Sequence, residues 1–395
     1  MTPSPAAKPA ATGPVAVQAD RGAGTVQTLL DGLRDADPAL VLVFGARGDD
    51  LAGLSRGLRE GLGPDCTIAG CSSAGEIGPA GYASDSIVAI GFPAAGFRAG
   101  AVVLDNLAGL PVSDWMAALR RLHESFAPDP RRSLFGLLLV DGIAGQEDAL
   151  VATIDAALPS VPTLGGSAGD GLEFRRTTLL AGDAVMTNAA IFLLVETDLA
   201  VSEVTFAHFS PTETRAVVTA AIPDKRRILE LNAEPAAAEY ARIVGVPVDR
   251  LTPTEFARHP LLLRMGKRHH VRAISAVTED RGLSLMSAID TGTVLTVGRA
   301  GDLTQGFAEA LESLPRPPLM VLGFDCILRR LALERAGLVQ AMSDLFTRYR
   351  VAGFNTYGEQ HSGMHVNQTF VGLAFMPAQD AAASPVGETG NPDAA

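Results

Sequence analysis

At 395 residues, 47% hydrophobic and 19% charged, the chain is long enough for two or three globular domains and too apolar to be disordered. Its 44 acidic against 32 basic residues give a formal charge of -12 with no sustained Lys or Arg block, which argues against nucleic acid or an anionic membrane as partner. Three cysteines, Cys66, Cys71 and Cys326, cannot build a disulfide framework, and no apolar run has the length of a signal or membrane-spanning segment, so a cytoplasmic protein without membrane insertion is expected.

In chain order, residues 1–23 are rich in Ala and Pro and read as a flexible tail. A helix is expected over Gly24 to Leu33 and a strand over Leu40 to Phe44. Asp49 and Asp50 can then cap a helix whose Leu51, Leu54, Leu58 and Leu62 share one face. The polar loop GCSSAGE (Gly70 to Glu76) and the strand Ser86 to Phe92 follow. Next come a helix over Ser113 to Phe126, a strand over Leu134 to Val140 and a crossover helix over Gln146 to Leu158. The loop GGSAGD (Gly165 to Asp170) and the strand Ala189 to Val195 close this stretch.

A break near Ser202 to Pro211 introduces a different region. It has alternating strand signals, a helix candidate at Pro235 to Ile243, a loop with a short helix from Pro247 to Pro260, and further strand signals from His269 to Leu295. The strand LMVLGF ending at Phe324 then leads into a crossover from Arg329 to Tyr349, with Leu331, Leu333 and Leu338 on an apolar face. The loop GFNTYGEQ (Gly353 to Gln360) and the strand Thr369 to Phe375 complete the pattern, and residues 378–395 read as a second flexible tail. A β-α-β-loop-β unit therefore recurs three times, each interval fitting a parallel pair joined by a helix. The expectation is an α/β fold of mixed sheets with crossover helices in two closely packed domains, 24–215 and 216–377.

The three loops gather small polar residues at strand ends, where α/β folds place ligands. Ser72, Ser73 and Glu76 offer hydroxyls and a carboxylate, and the same groups also suit turn amides and caps. Asp141, Ser167 and Asp170 form a second set, open to the same two readings. The third loop is richest: Asn355, Thr356, Tyr357, Glu359 and Gln360, followed by His365 and Asn367, need partners inside the protein or a ligand. No metal-ligand spacing, P-loop or GxSxG pattern is present, so neither metal ligands nor catalytic residues are assigned.

GCSSAGE, GGSAGD, the NAEPAAAEY segment, the GFDC turn and GFNTYGEQHSGMHVNQTF, in this order, resemble the FIST sensory module, named for F-box and intracellular signal transduction proteins. The resemblance spans roughly Gly24 to Phe375, covering N-terminal and C-terminal FIST domains. It implies intracellular sensing of a small ligand, with amino acids proposed, and signalling through a separate protein such as a histidine kinase. Some bacterial relatives are haem-containing nitric-oxide sensors, so haem is the candidate cofactor, with His123, His208, His259, His269, His270, His361 and His365 as candidate ligands. The same loops are also compatible with an enzyme using Ser72 or Cys326 and with a ligand-independent scaffold.

Overall fold

The computed structural model describes residues 13–46, 48–266 and 268–378. The first repeat runs β1 (Val15–Asp20), α1 (Thr25–Leu33), β2 (Pro38–Ala46), α2 (Leu51–Leu62), β3 (Thr67–Ser73), a hairpin of β4 (Glu76–Gly78) and β5 (Gly81–Ala83), and β6 (Ser86–Pro93). Residues 15–20, expected in the flexible tail, thus form a paired strand. Asp50 caps α2 by accepting from the Gly53 amide at 2.8 Å, and the helix buries Leu51 and Leu58 before stopping at Gly63.

The second repeat has the same plan: β7 (Phe97–Leu104), α3 (Val112–Phe126), β8 (Ser133–Val140), α4 (Glu147–Ala157), β9 (Thr163–Ser167), a hairpin of β10 (Leu179–Ala181) and β11 (Ala184–Met186), and β12 (Ala190–Thr197). The third starts with β13 (Ala200–Phe206), where the sequence suggests only a break. An insert then intervenes: β14 (Phe209–Ile222), β15 (Arg227–Leu231), β16 (Glu234–Pro235), α5 (Ala236–Val244), α6 (Pro253–Arg258), β17 (Leu261–Met265), β18 (Arg268–Arg272), β19 (Ile274–Val277), β20 (Leu283–Leu285) and β21 (Val294–Ala300).

The third repeat resumes with α7 (Gln305–Glu312), β22 (Met320–Cys326), α8 (Ile327–Ala336), α9 (Val339–Arg348), β23 (Val351–Thr356), a hairpin of β24 (Glu359–His361) and β25 (Met364–Val366), and β26 (Phe370–Met376). Its crossover is two helices, not one, because Gly337 takes a left-handed φ of 70° and ends α8.

Three sheets have one strand order: β1-β6-β2-β3-β10-β11, β7-β12-β8-β9-β24-β25, and β13-β26-β22-β23-β4-β5. In each, the first strand of the repeat lies outermost and the parallel pair lies inside. The terminal hairpin is always borrowed from another repeat, in cyclic order. The inner faces share one core, in which Phe44, Leu139 and Phe324 come from equivalent strands. The outer faces are covered by α1 and α2, by α3 and α4, and by α7 to α9.

One glycine per repeat makes this geometry possible. Gly70, Gly165 and Gly353 sit at equivalent points of the parallel pairs, opposite Val43, Leu138 and Gly323. A Cβ on them would lie 2.1, 1.9 and 1.8 Å from the facing carbonyl oxygen, distances no side chain tolerates. Just beyond, the Ala74 amide donates to Asn355 O, the Gly169 amide to Ser72 O, and the Tyr357 amide to Ser167 O, all within 3.2 Å. These three bonds close a ring that ties the repeats together.

The insert has its own core around Val218, Leu231, Tyr240, Phe256 and Leu295. It docks on the second and third repeats through polar contacts. Arg226 donates to Glu147 Oε2 at 2.5 Å, Ser287 Oγ to Asn367 Oδ1 at 2.6 Å, and Arg272 Nη1 to the His365 carbonyl at 3.3 Å. Where the chain enters and leaves the insert, the Gly301 amide bonds His208 O at 2.6 Å.

Candidate functional site

The three loops fall at the ends of β3, β9 and β23, as their sequence suggests, but their polar side chains point into the protein. Ser72, Ser73, Glu76, Asp141, Ser167, Asp170, Asn355, Thr356, Tyr357, Glu359, Gln360, His365 and Asn367 are all buried. A buried polar atom needs a partner, and most find one within the ring of repeats.

In the first loop, Ser73 Oγ donates to Glu76 Oε1 at 2.5 Å, and the Thr178 amide donates to Ser72 Oγ at 2.9 Å. Burial pushes the Glu76 carboxyl up to about 7, against the opposing effect of Ser73 and nearby Arg21 and Arg330. The third loop repeats this pair: Thr356 Oγ1 donates to Glu359 Oε1, while Thr369 donates to Oε2 through its hydroxyl at 2.6 Å and its amide at 3.2 Å. Burial carries Glu359 up to about 8 despite those donors, helped by the negative charge of Asp325. Asn355 bridges Asp325 and Arg330.

The second loop lacks that pair, having Ala168 and Gly171 where the others have a hydroxyl and a glutamate. Instead Asp170 accepts from Tyr357 Oη and from the amides of Phe174, Arg175 and Arg176. Burial opposes ionisation of Asp170, but these donors outweigh it and hold its pKa low. Asp141 takes the other end of the same segment through Thr177 Oγ1, and also accepts from the Asn188 amide beyond the hairpin of β10 and β11. The two acids thus anchor one loop from both ends and do not meet.

Open space lies instead at the seam where β13 and β26 face the borrowed hairpin of β24 and β25, with the insert above. A cleft of about 360 Å³ is lined there by Phe206, Phe209, His269, His270, His361 and Thr369, among others. A second, of about 230 Å³, lies against α4 and is lined by Asp155, Glu203, Gln360 and His361. His361 borders both. Glu359 reaches the larger cleft through Thr369, and Gln360 lines the smaller one directly; the other expected site residues line neither.

Sequence reasoning missed Thr369, Phe206 and Phe209 because the seam joins segments far apart in the chain. It also missed Arg329, fully buried on α8, whose Nε donates to Asp325 Oδ1 at 2.7 Å and whose guanidinium lies 4.9 Å from the Phe206 ring. The apolar face expected of this crossover is therefore interrupted by a charge. The exposed Phe174, stacked on Tyr357 with ring centroids 4.2 Å apart, was likewise not singled out.

None of the three cysteines carries an activated thiol. Burial pushes the Cys66 thiol up to about 11 and those of Cys71 and Cys326 well above the ordinary value, so the start of α8 does not activate Cys326. Among the described residues no group of three or more His, Cys, Asp or Glu is placed to hold a metal ion. Three of the candidate haem ligands make contacts within the protein. His208 is buried against Phe209 and held neutral, its pKa lowered to about 3 by burial and by Arg329; His365 Nδ1 faces Gln360 Nε2 at 3.3 Å; His361 lies against Ser362 Oγ and Glu203.

No helix among the described residues is long and apolar enough to cross a membrane. Family models match the FIST N domain over residues 39–234 and the FIST C domain over residues 236–362. No curated protein matches the chain. The boundary between the two matches falls inside the insert, so the N and C domains share the ring of sheets. On these two matches, which together span most of the chain, the protein belongs to the FIST family of sensory signalling modules.

Proposed function

We propose that the protein senses a small organic ligand, amino acids included, in the cleft beneath the insert, and signals through a separate protein such as a histidine kinase. The observation that carries this reading is the composition of the cleft wall: it joins two core sheets to the insert, through Phe206 and Val371 of one sheet, with Thr369 beside them, His361 and Val366 of another, and Phe209 and His270 of the insert. A ligand touching both sides stabilises the docked arrangement in proportion to its preference for that arrangement. The apolar surfaces and the hydroxyl and imidazole groups suit a compact molecule with a polar end.

Docking of the insert is the element such a ligand would bias. The contacts that hold it are largely polar, Arg226 to Glu147 and Ser287 to Asn367, and such contacts exchange with water at modest cost. A change in docking alters the surface offered to a partner without unfolding the ring of sheets.

The test is a screen of metabolites, amino acids first, by native mass spectrometry and calorimetry on the full chain, followed by hydrogen exchange with any binder. The expected result is a ligand that slows exchange in 209–300 and binds at least tenfold more weakly to Thr369→Val. Binding unaffected by Thr369→Val and by Phe206→Ala overturns the site. Partner capture that no bound molecule changes supports a scaffold instead.

A further inference from the structure

The segment that follows β9 and Asp170 carries an exposed surface that belongs to neither cleft. Its Leu172 and Phe174 are 56% and 47% exposed, and Arg175 and Arg176 come next in the chain. Single apolar residues on a surface are ordinary, but the way Phe174 is held is not. Its φ of 53° is left-handed, a conformation that suits glycine and strains a residue with a Cβ. Asp170 fixes that conformation by accepting from the amides of Phe174, Arg175 and Arg176 at 2.8, 2.9 and 2.9 Å, and Tyr357 stacks on the ring with 18° between the planes. Stacking uses one face of the ring. Covering Tyr357 therefore accounts neither for Leu172 nor for the half of Phe174 that stays in water.

Charge is the second and independent observation. Among the described residues neither the Arg175 nor the Arg176 guanidinium has a hydrogen bond or an ion pair, and Glu173 is engaged in an interaction of its own. Other exposed-loop arginines of this acidic chain are paired, as Arg131 is with Asp129 and Arg132 with Glu196. An aromatic and an aliphatic anchor beside two open guanidiniums complement a segment that carries carboxylates around an apolar residue, because Arg takes a carboxylate bidentately and aromatic and Arg side chains dominate protein contacts. A nucleic acid or an anionic bilayer would instead present many negative charges to a chain of net charge -12. We infer that Leu172, Phe174, Arg175 and Arg176 form the docking site for an acidic, apolar-anchored segment of a partner protein. The inference rests on the proposed function only for the existence of a separate partner, not for a ligand in the cleft.

The probe is a fluorescein-labelled peptide with a Phe-Leu centre flanked by glutamates, titrated with the full chain and read by anisotropy. Two control peptides carry lysines for the glutamates or serines for the Phe-Leu centre. The glutamate peptide should bind at least tenfold more tightly than either, and more weakly as salt rises. Arg175→Glu combined with Arg176→Glu should lower its affinity at least tenfold. Phe174→Gly, which relaxes the left-handed backbone, and Leu172→Ser, which disturbs none of the hydrogen bonds to Asp170, should each lower it severalfold. No binding of the glutamate peptide, equal binding of either control, or full affinity in the arginine variant or in both apolar ones overturns the docking site. Tighter binding of oligothymidylate or of phosphatidylserine vesicles overturns it in favour of nucleic acid or membrane. Peptide binding beside a metabolite screen that finds no binder upholds this surface and counts against the cleft; a bound metabolite without peptide binding does the reverse.

Discussion

Thr369 donates both its hydroxyl, at 2.6 Å, and its amide, at 3.2 Å, to one oxygen of the buried Glu359 carboxyl. Even with these donors, burial holds the carboxyl up to about 8, against an ordinary 4.5. The folded protein therefore keeps a proton that the unfolded chain releases, and the stability this brings is full below pH 4.5 and lost as pH rises to about 8. The loss amounts to at most about 1.4 kcal/mol per pH unit within that window. Denaturant midpoints measured from pH 5 to 9 should fall in the natural protein and change distinctly less in Glu359→Gln. An identical slope in both would show that Glu359 does not hold the proton.

Gly353 faces Gly323 so closely that a methyl group would meet its carbonyl at 1.8 Å. Gly353→Ala should cost on the order of 3 kcal/mol or more, through separation of the parallel pair. Gly70→Ala and Gly165→Ala should behave alike, since the three positions are equivalent. Gly171→Ala, at a left-handed position with open space around it, should cost only about 1 kcal/mol. Urea unfolding of the four variants would reveal whether the ranking holds.

Asp170 organises the exposed segment that contains Arg175 and Arg176. Asp170→Asn leaves an amide nitrogen facing backbone donors, at a cost of about 1–3 kcal/mol within that segment. Trypsin should then cut after Arg175 or Arg176 much faster than in the natural protein, as followed by mass spectrometry. Because the donors hold Asp170 below its ordinary pKa, its stabilising effect is present above that value and lost as pH falls through the lowered one. Unchanged cleavage would mean the segment is held by Tyr357 and Phe174 alone.

Arg226 and Glu147 pin the insert to the start of α4 next to Asp148, whose Oδ2 accepts from the Ala288 amide at 3.2 Å. Arg226→Ala leaves Glu147, 2% exposed, without its cation, a change that typically costs about 3–5 kcal/mol when the pair is buried. Part of that cost should appear as undocking. Exchange of the Ala288 amide should accelerate at least tenfold while amides in β22 and β23 keep their protection. Equal acceleration in those strands would show that insert and ring open as one unit.

The repeated unit could be read from the sequence because it is local: a hydrophobic strand, an amphipathic helix with a cap at Asp50, and a second strand ending in glycine and hydroxyl residues. The exchange of hairpins could not, since nothing in Glu76–Gly78 or Glu359–His361 distinguishes a partner strand in the same repeat from one in another. For the same reason the loop residues were easy to find and hard to interpret. Glu76, Glu359 and Asp170 look like ligand groups until the strand ends converge and supply their donors. Thr369 and Phe206 gave no signal, because a seam between sheets is made by packing of distant segments. β13 reads as a break because it is a half-exposed edge strand, without a continuous apolar run.

The cyclic loan of hairpins also dictates a timetable for the growing chain. The hairpin at Glu76–Ala83 emerges early from the ribosome, yet the strand it pairs with, Val351–Thr356, is translated almost last. Until then the first repeat carries an unpaired strand end, the kind of surface that joins neighbouring chains in error. A chain cut at the boundary between its two family matches would keep that exposure permanently. Completion of the last repeat is thus the event that lets the first one close.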